Sequence, residues 1–369
     1  MEGNTNVSAH SKESLPLQRQ SAAFCFQGRW GFCKVGRMEI HKKRLGKSDL
    51  WVSPVAVGCW QFAGGTQWGA QEEKDSHATV HAALDAGLQF FDTAPMYGKG
   101  TSEEILGRAL VGRREEAVIA SKVNSGDLRK EDLMASCETS LRRLQTDRID
   151  LLQVHWGNRK IPLQETVEAF ESLLQQGKIR AYGVCNFSAA GMREAIRCGA
   201  RFATHQLPYS LLWRAIEFEI IPTCEEAGIS VLPYSPLLQG LLTGKFRDAE
   251  VVPPPRRRSR HFSSSQPEAR HGEPGEETAT FAALDKIRTL CDEWGQPMGR
   301  VALAWLLHQT TVASVLAGSR SPEQVRENLF ATTLSIPPEI NTALEAATRS
   351  LRDRFGSNPD MWQSNSRFV

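Results

Sequence analysis

Between Ala117 and Phe187 the chain reads AVIASKVNSGDLRKEDLMASCETSLRRLQTDRIDLLQVHWGNRKIPLQETVEAFESLLQQGKIRAYGVCNF. Three short apolar runs, Ala117 to Val123, Ile149 to Trp156 and Ile179 to Phe187, alternate with two amphipathic helical windows, Lys130 to Leu144 and Leu163 to Gln176. Near-continuous apolar strands joined by helices are the mark of a parallel sheet covered on both faces. The alternation continues outward in both directions. Upstream, Val52 to Trp60 leads to a helix from about Glu72 to Ala86, and Gln89 to Thr93 leads to Ser102 to Val111. Downstream, Ala189 to Cys198 follows Phe187, and then Phe202 to Leu207 precedes Ile216 to Ala227. Ile229 to Tyr234 precedes Phe281 to Trp294 and Gly299 to His308, and Ala313 to Ala317 precedes Pro322 to Leu329. Eight such units predict an α/β fold closed into a (β/α)8 TIM barrel.

Helix ends carry fitting punctuation, with Gly87, Gly177, Gly199 and Gly228 where left-handed C-terminal caps are wanted. Met38 to Leu50, turning at Gly46-Lys47-Ser48, reads as an N-terminal β-hairpin plugging the barrel bottom, and Pro337 to Leu351 as an extra C-terminal helix. Residues 1–37 are expected to be an extension, 38–351 the barrel and 352–369 a C-terminal tail. Phe246 to Thr278, rich in Pro, Arg, Ser and Gly, fits no core element and is a candidate lid on the face where barrel active sites are built.

Composition narrows the class of protein. With 41% hydrophobic and 23% charged residues, the chain is globular rather than disordered throughout. A net charge of +2, with no basic run beyond Arg256-Arg257-Arg258-Ser259-Arg260, implies no extended nucleic-acid surface. Clean apolar runs such as Val301 to Leu307 are too short to span a membrane. The 8 cysteines form no C-x-x-C pair, which implies free thiols and no structural zinc. Residues 1–37 are almost free of acids and carry Lys12, Arg19, Arg29, Lys34 and Arg37; they read as an extension ahead of Met38 in a cytoplasmic protein, the alternative being a transit segment to an organelle such as the chloroplast.

Polar residues at strand C-termini mark where the chemistry would be. They are Asp92 with Tyr97 just beyond it, Ser121-Lys122, His155, Cys185-Asn186, Gln206 and Tyr234-Ser235-Pro236. An ammonium ending the apolar run Val118 to Lys122 needs a carboxylate, and Asp92 on the neighbouring strand is the natural partner. A phenol beside that pair would have its anion favoured, so Tyr97 is expected to titrate below its usual value of about 10. His155 on the next strand is placed to bond the same acceptor oxygen. Such a group suits acid-assisted carbonyl reduction, in which a donor delivers hydride and a tuned acid protonates the oxygen.

Phe91 to Gly98, Ala120-Ser121-Lys122, Leu152 to Trp156 and Gly183 to Phe187 resemble signature blocks of the aldo-keto reductases. So do Tyr234 to Leu237, Gly240 to Lys245 and Gly318 to Asn328, in the branch that includes bacterial short reductases and potassium-channel β-subunits. The resemblance, which runs from about Arg44 to Ser350, implies an extended NADPH site without a Rossmann domain and a tetrad of Asp92, Tyr97, Lys122 and His155 with Tyr97 as the acid. It implies that Asn186 and Gln206 hold the carboxamide, Tyr234 stacks on the nicotinamide, and the backbone of Ser235, Pro236 and Leu237 with Lys245 takes the pyrophosphate. Arg320 and Gln324 would address the 2′-phosphate, with Glu327 and Asn328 near the adenine and Gly240 and Gly318 as further cofactor contacts. Cys59, Trp60 and Asp92 are further expected cofactor contacts, and Cys185 stands where many members have Ser. Trp60 and Trp68 are candidates to line the carbonyl pocket.

Other motifs carry less. Gly98-Lys99-Gly100 lacks the third glycine of a dinucleotide fingerprint, and Gly240 to Phe246 is one residue short of a P-loop. His77 and His81 share a helix face, but Ala78 stands where a zinc protease has Glu, and no metal is expected. Two functions follow from the resemblance: a carbonyl reductase acting on small aldehydes or ketones, or a nucleotide-binding redox sensor working through a protein partner. His155 favours the reductase, because the channel branch commonly lacks His there. Oligomeric state is not written in these patterns.

Overall fold

A computed structural model describes Met1, residues 40–65 and residues 68–369; apart from Met1, the expected extension at 1–37 lies outside the described residues. Strands β1 (Lys43–Arg44) and β2 (Trp51–Val52) pair antiparallel as the hairpin. Eight parallel strands follow: β3 (Val55–Gly58), β4 (Phe90–Asp92), β5 (Val118–Val123), β6 (Ile149–Val154), β7 (Ile179–Cys185), β8 (Thr204–Pro208), β9 (Ser230–Tyr234) and β10 (Val315–Gly318). Each pairs with the next, β10 pairs back onto β3, and β9 meets the residues leading into β10 through the Val231 and Ala313 amides. Around this sheet run α1 (Glu73–Asp85), α2 (Thr101–Ala109), α3 (Lys130–Leu144), α4 (Leu163–Gln175), α5 (Ala189–Arg197), α6 (Ile220–Ala227), α7 (Glu277–Trp294), α8 (Met298–Leu307), α9 (Pro322–Phe330) and α10 (Pro338–Phe355). The fold is the (β/α)8 barrel with N-terminal hairpin and extra C-terminal helix that the alternation predicts.

Several boundaries differ from the sequence reading, three of them instructively. The first run, Val52 to Trp60, is two strands, because Pro54 has no N–H for a ladder; Val52 goes to the hairpin and the barrel strand begins at Val55. The window from Ile216 becomes a short 3-10 turn at Ala215–Glu217, and α6 starts only at Ile220. The C-terminal helix continues to Phe355, so the tail begins at Gly356.

Alternation along each strand positions the site. On β5, Val118 and Ala120 face the barrel interior while Ile119 and Val123 pack outward against helices. Lys122 therefore shares the inward parity of Val118 and Ala120. The same count puts Asp92 above Phe90, His155 and Gln153 above Leu151, and Tyr234 above Leu232. Below this polar layer the interior is closed by Leu45, Leu50 and Val52 of the hairpin, all at most 1% exposed. Gly46 makes that closure possible: its φ is +51°, and a Cβ there would meet the Ala203 carbonyl oxygen at 2.5 Å. Among the described residues no helix is long and apolar enough to cross a membrane.

A buried histidine supports the end of β7. The Phe187 amide donates to His205 Nε2 at 3.1 Å, so that nitrogen is an acceptor, and burial pushes the imidazole down to about 3. Below the ordinary histidine value of about 6.5 the unfolded chain takes up a proton that folded His205 refuses. Stability is therefore lost as pH falls from that value toward 3. Denaturant midpoints at pH 7.5 and pH 5 should show wild type losing stability on acidification and His205→Asn losing less; an equal loss in both would contradict this assignment.

Candidate active site

Lys122, with no exposed surface, sits at the centre of the inward polar layer. Its Nζ donates to Asp92 Oδ1 at 2.9 Å and Oδ2 at 2.8 Å, to the Thr93 carbonyl at 2.8 Å and to the Tyr97 hydroxyl at 3.3 Å. Gln206 Nε2 donates to Asp92 Oδ1 at 2.8 Å, so the carboxylate is held from two strands. Burial alone would strip the ammonium of its proton, but Asp92, with Tyr97 and Cys185 adding to it, holds the Lys122 pKa above the ordinary lysine value.

Tyr97 follows the tight turn after β4. Its ring stacks on Trp60 at 5.6 Å between centroids and meets the His155 ring edge-on at 6.0 Å. Gly98 and Lys99 beyond it both have left-handed backbone, with φ of 62° and 55°, so the glycines of Gly98-Lys99-Gly100 serve a turn. The expected direction of the phenol's shift is overturned. Lys122 does pull the Tyr97 pKa down, but desolvation outweighs it and the value is pushed up to about 12. Tyr97 therefore keeps its proton through neutral pH. His155 is pushed down to about 3, by desolvation first and then by Lys122, and is a neutral imidazole whose buried Nδ1 makes no hydrogen bond.

These groups stand at one end of a cavity of about 860 Å³. Trp60, Asp92, Tyr97, His155, Asn186, Gln206 and Tyr234 line it, as do Ser235, Pro236, Leu237, Gly240 and Lys245. Gly318, Arg320, Gln324, Glu327 and Asn328 line it too. Cys59 and Cys185 do not: both thiols are at most 1% exposed and lie behind the wall. Asn186 donates to the His155 carbonyl at 3.0 Å and accepts from the Tyr234 hydroxyl at 3.0 Å, which locks the ends of β6, β7 and β9 together. Asn186, Ser235, Leu238 and Gln239, none of them glycine, all have positive φ between 42° and 59°, a concentration of strained backbone along one wall of the cavity.

Cations gather along that wall. A Cβ on Gly240, whose φ is +96°, would meet Lys245 Cε at 3.0 Å and Arg256 Nη1 at 3.4 Å, so the glycine leaves room for both. Burial and then Arg256 lower the Lys245 pKa, and neither side chain has a carboxylate partner among the described residues. Arg300 meets Glu327 at 3.6 Å. Arg320 donates Nε to Gln71 Oε1 at 2.8 Å and its other two nitrogens to the Trp68 and Ala70 carbonyls, while Gln324 Oε1 accepts from the Arg320 amide at 2.8 Å. The fork expected to face a 2′-phosphate is thus engaged by the loop after β3.

Several lining residues escaped the sequence reading. Trp362 and Arg367 come from the tail, where Arg367 pairs with buried Asp360 at 2.7 Å and lies 4.1 Å from the Trp156 ring centroid. The signal that would have found them is the group of large apolar residues Met361, Trp362 and Phe368 in a short polar-rich terminus. The candidate lid contributes Arg256, Arg258, Glu268 and Arg270. His77 faces Glu73 within α1 and His81 meets the Ala109 carbonyl at the end of α2, and no metal-holding cluster occurs among the described residues. The six described cysteines are all unpaired.

A barrel with this buried lysine, carboxylate, phenol and imidazole at its mouth defines a carbonyl-reducing class of enzyme. The chain belongs to the Aldo/keto reductase family, whose model matches residues 54–349. It is similar to the aldo-keto reductase YhdN of Bacillus subtilis (strain 168), 36% identical over 315 residues that cover 82% of this chain and 92% of the relative. It is also 32% identical to the NADH-specific methylglyoxal reductase of Escherichia coli (strain K12), over 337 residues covering 85% and 99%. Among solved structures, an aldo-keto reductase from Klebsiella pneumoniae in complex with NADPH superposes with a TM-score of 0.65 at 30% identity, covering 88% of this chain and 97% of that one.

Because Lys122 and Asp92 share one buried pair, removing either partner strands the other. Lys122→Met should cost about 3–5 kcal/mol of stability, and Lys122→Met with Asp92→Leu should recover a good part of it. Urea denaturation of the three proteins checks this, and a double variant as unstable as the summed singles would rule it out.

Proposed function

We propose that the chain is an NADPH-dependent oxidoreductase that reduces the carbonyl group of small aldehydes or ketones, with Tyr97 as the proton donor and residues 38–351 as the catalytic unit. The observation that carries this is the single Lys122 ammonium bonded at once to Asp92 and to the Tyr97 hydroxyl, at the end of a cavity whose lining also includes Lys245 and Arg256 without carboxylate partners among the described residues.

The lining fits a dinucleotide phosphate. Lys245, which is exposed, and Arg256, which is half-buried, lie beside a glycine whose missing Cβ opens the cradle, and neither has a carboxylate counter-ion among the described residues. They would hold the pyrophosphate, Arg320 would supply charge toward a 2′-phosphate, and Asn186 and Gln206 would hold the carboxamide. NADPH, when bound, supplies the hydride. The E. coli relative is named for NADH; the NADPH reading here rests on the cations of this chain.

The remaining chemistry belongs to the side chains. As charge develops on the carbonyl oxygen, Tyr97 transfers its hydroxyl proton to it and completes the alcohol. The phenolate left behind faces Lys122 Nζ, whose charge Asp92 maintains, so the desolvation that holds the phenol protonated beforehand is offset at that moment. His155, uncharged through neutral pH, offers a polar edge to the same oxygen without competing as an acid. Indole rings from Trp60, Trp68, Trp156 and Trp362 line the same cavity and would limit the access of water to the reacting atoms.

Tyr97→Phe keeps the ring and its stacking on Trp60 while removing the proton. Turnover of aldehydes should fall by about 10² or more with NADPH affinity near wild type. Steady-state NADPH oxidation with a parallel fluorescence titration of the nucleotide checks this, and undiminished turnover would assign the acid elsewhere.

A further inference from the structure

Four arginines fall within Arg256 to Arg260, and their side chains separate. Arg256 donates to the Gln239 carbonyl at 3.4 Å on the cofactor wall, Arg257 donates to the Val252 and Glu250 carbonyls, and Arg260 pairs with Glu273 at 2.8 Å. Arg258 does none of this. Its guanidinium carbon lies 4.8 Å from the Trp362 ring centroid and 5.9 Å from that of Trp60, and its buried Nε has no hydrogen-bond partner. No carboxylate pairs with it among the described residues. Trp60 is the ring that stacks on Tyr97, so this cation stands at the carbonyl end of the cavity.

An arginine in that position has few ways to lower its energy. It does not discharge by losing a proton. Burial, reinforced by Arg270, works against its charge, and Glu268 offsets this only in part. The two indole faces supply some stabilisation, yet they leave the buried Nε without a hydrogen-bond partner. A planar fork in a partly dry pocket matches the two oxygens of a carboxylate.

We propose that Arg258 recognises an anionic group on the substrate, so that the preferred substrates are carbonyl compounds that also carry a carboxylate. This rests on the reading of Tyr97 as the proton donor, which fixes where the carbonyl lies. Trp60 and Trp362 act as the clamp that holds the guanidinium there, and Arg270 adds positive potential behind it. Lys245 and Arg256 serve the cofactor phosphates, and Arg258 serves the acid.

The test compares 4-oxobutanoate with its methyl ester, which has the same aldehyde and no charge, in wild type, Arg258→Gln and Arg258→Lys. Wild type should favour the acid in kcat/KM, and Arg258→Gln should reduce the acid-to-ester ratio by about 10- to 150-fold, the value of a charge-assisted contact. Arg258→Lys should restore part of the ratio, and NADPH affinity by fluorescence titration should be unchanged in both. A ratio near one in wild type, or one that survives Arg258→Gln, overturns the proposal. So does a variant that weakens NADPH and slows acid and ester equally, which would make Arg258 a cofactor residue. Failure of wild type to reduce either compound, or any other aldehyde, would instead overturn the carbonyl-reductase reading itself.

Discussion

The structure turns on one ammonium group held without water inside the mouth of a barrel. Lys122 is tolerated there because Asp92 meets it with both oxygens and the Thr93 carbonyl takes a further donor. Everything near it is arranged around that charge. Gln206 steadies the carboxylate, Tyr97 rests its hydroxyl on the ammonium, and His155 is kept neutral partly by the same cation. A buried ion pair contributes little net stability, since desolvation consumes most of the attraction. Its value here is positional, and in the proposed mechanism it is a fixed positive charge next to a phenol that becomes an anion for an instant.

The barrel supplies that position through parity. Inward residues on neighbouring strands form layers, and the layer below the site is apolar and sealed by hairpin leucines. Gly183 keeps the intermediate layer thin, since a Cβ there would meet Thr204 Oγ1 at 2.2 Å, and Thr204 bonds Gln153 at 3.1 Å across that space. The polar layer is therefore supported from beneath and open only toward the loops. Those loops, together with the insert after β9 and the tail after α10, supply the walls of the cavity.

The barrel was legible because its signal is repetitive: eight apolar runs spaced by helical windows leave few alternatives. The Lys122–Asp92 pair was legible for a physical reason, because an ammonium ending an apolar strand demands a carboxylate at hand. Two things were not legible. The net direction of the Tyr97 shift depends on how deeply the hydroxyl is buried, and strand order carries the lysine's pull but not the desolvation that exceeds it. The separate destinations of Arg256, Arg257, Arg258 and Arg260 depend on the path of an irregular segment, in which neighbouring side chains follow no period. Trp362 and Arg367 were hidden likewise, in a tail whose course is set by the buried Asp360–Arg367 pair.

The central claim is that a protonated phenol, not an imidazolium, delivers the proton. The pH dependence of kcat/KM for carbonyl reduction measures this most directly. With His155 near 3 and Tyr97 near 12, neither group changes charge in between, and the profile should be level from about pH 5.5 to about pH 9. A fall centred near the ordinary histidine value of about 6.5, abolished by His155→Gln, would make His155 the acid and contradict the account.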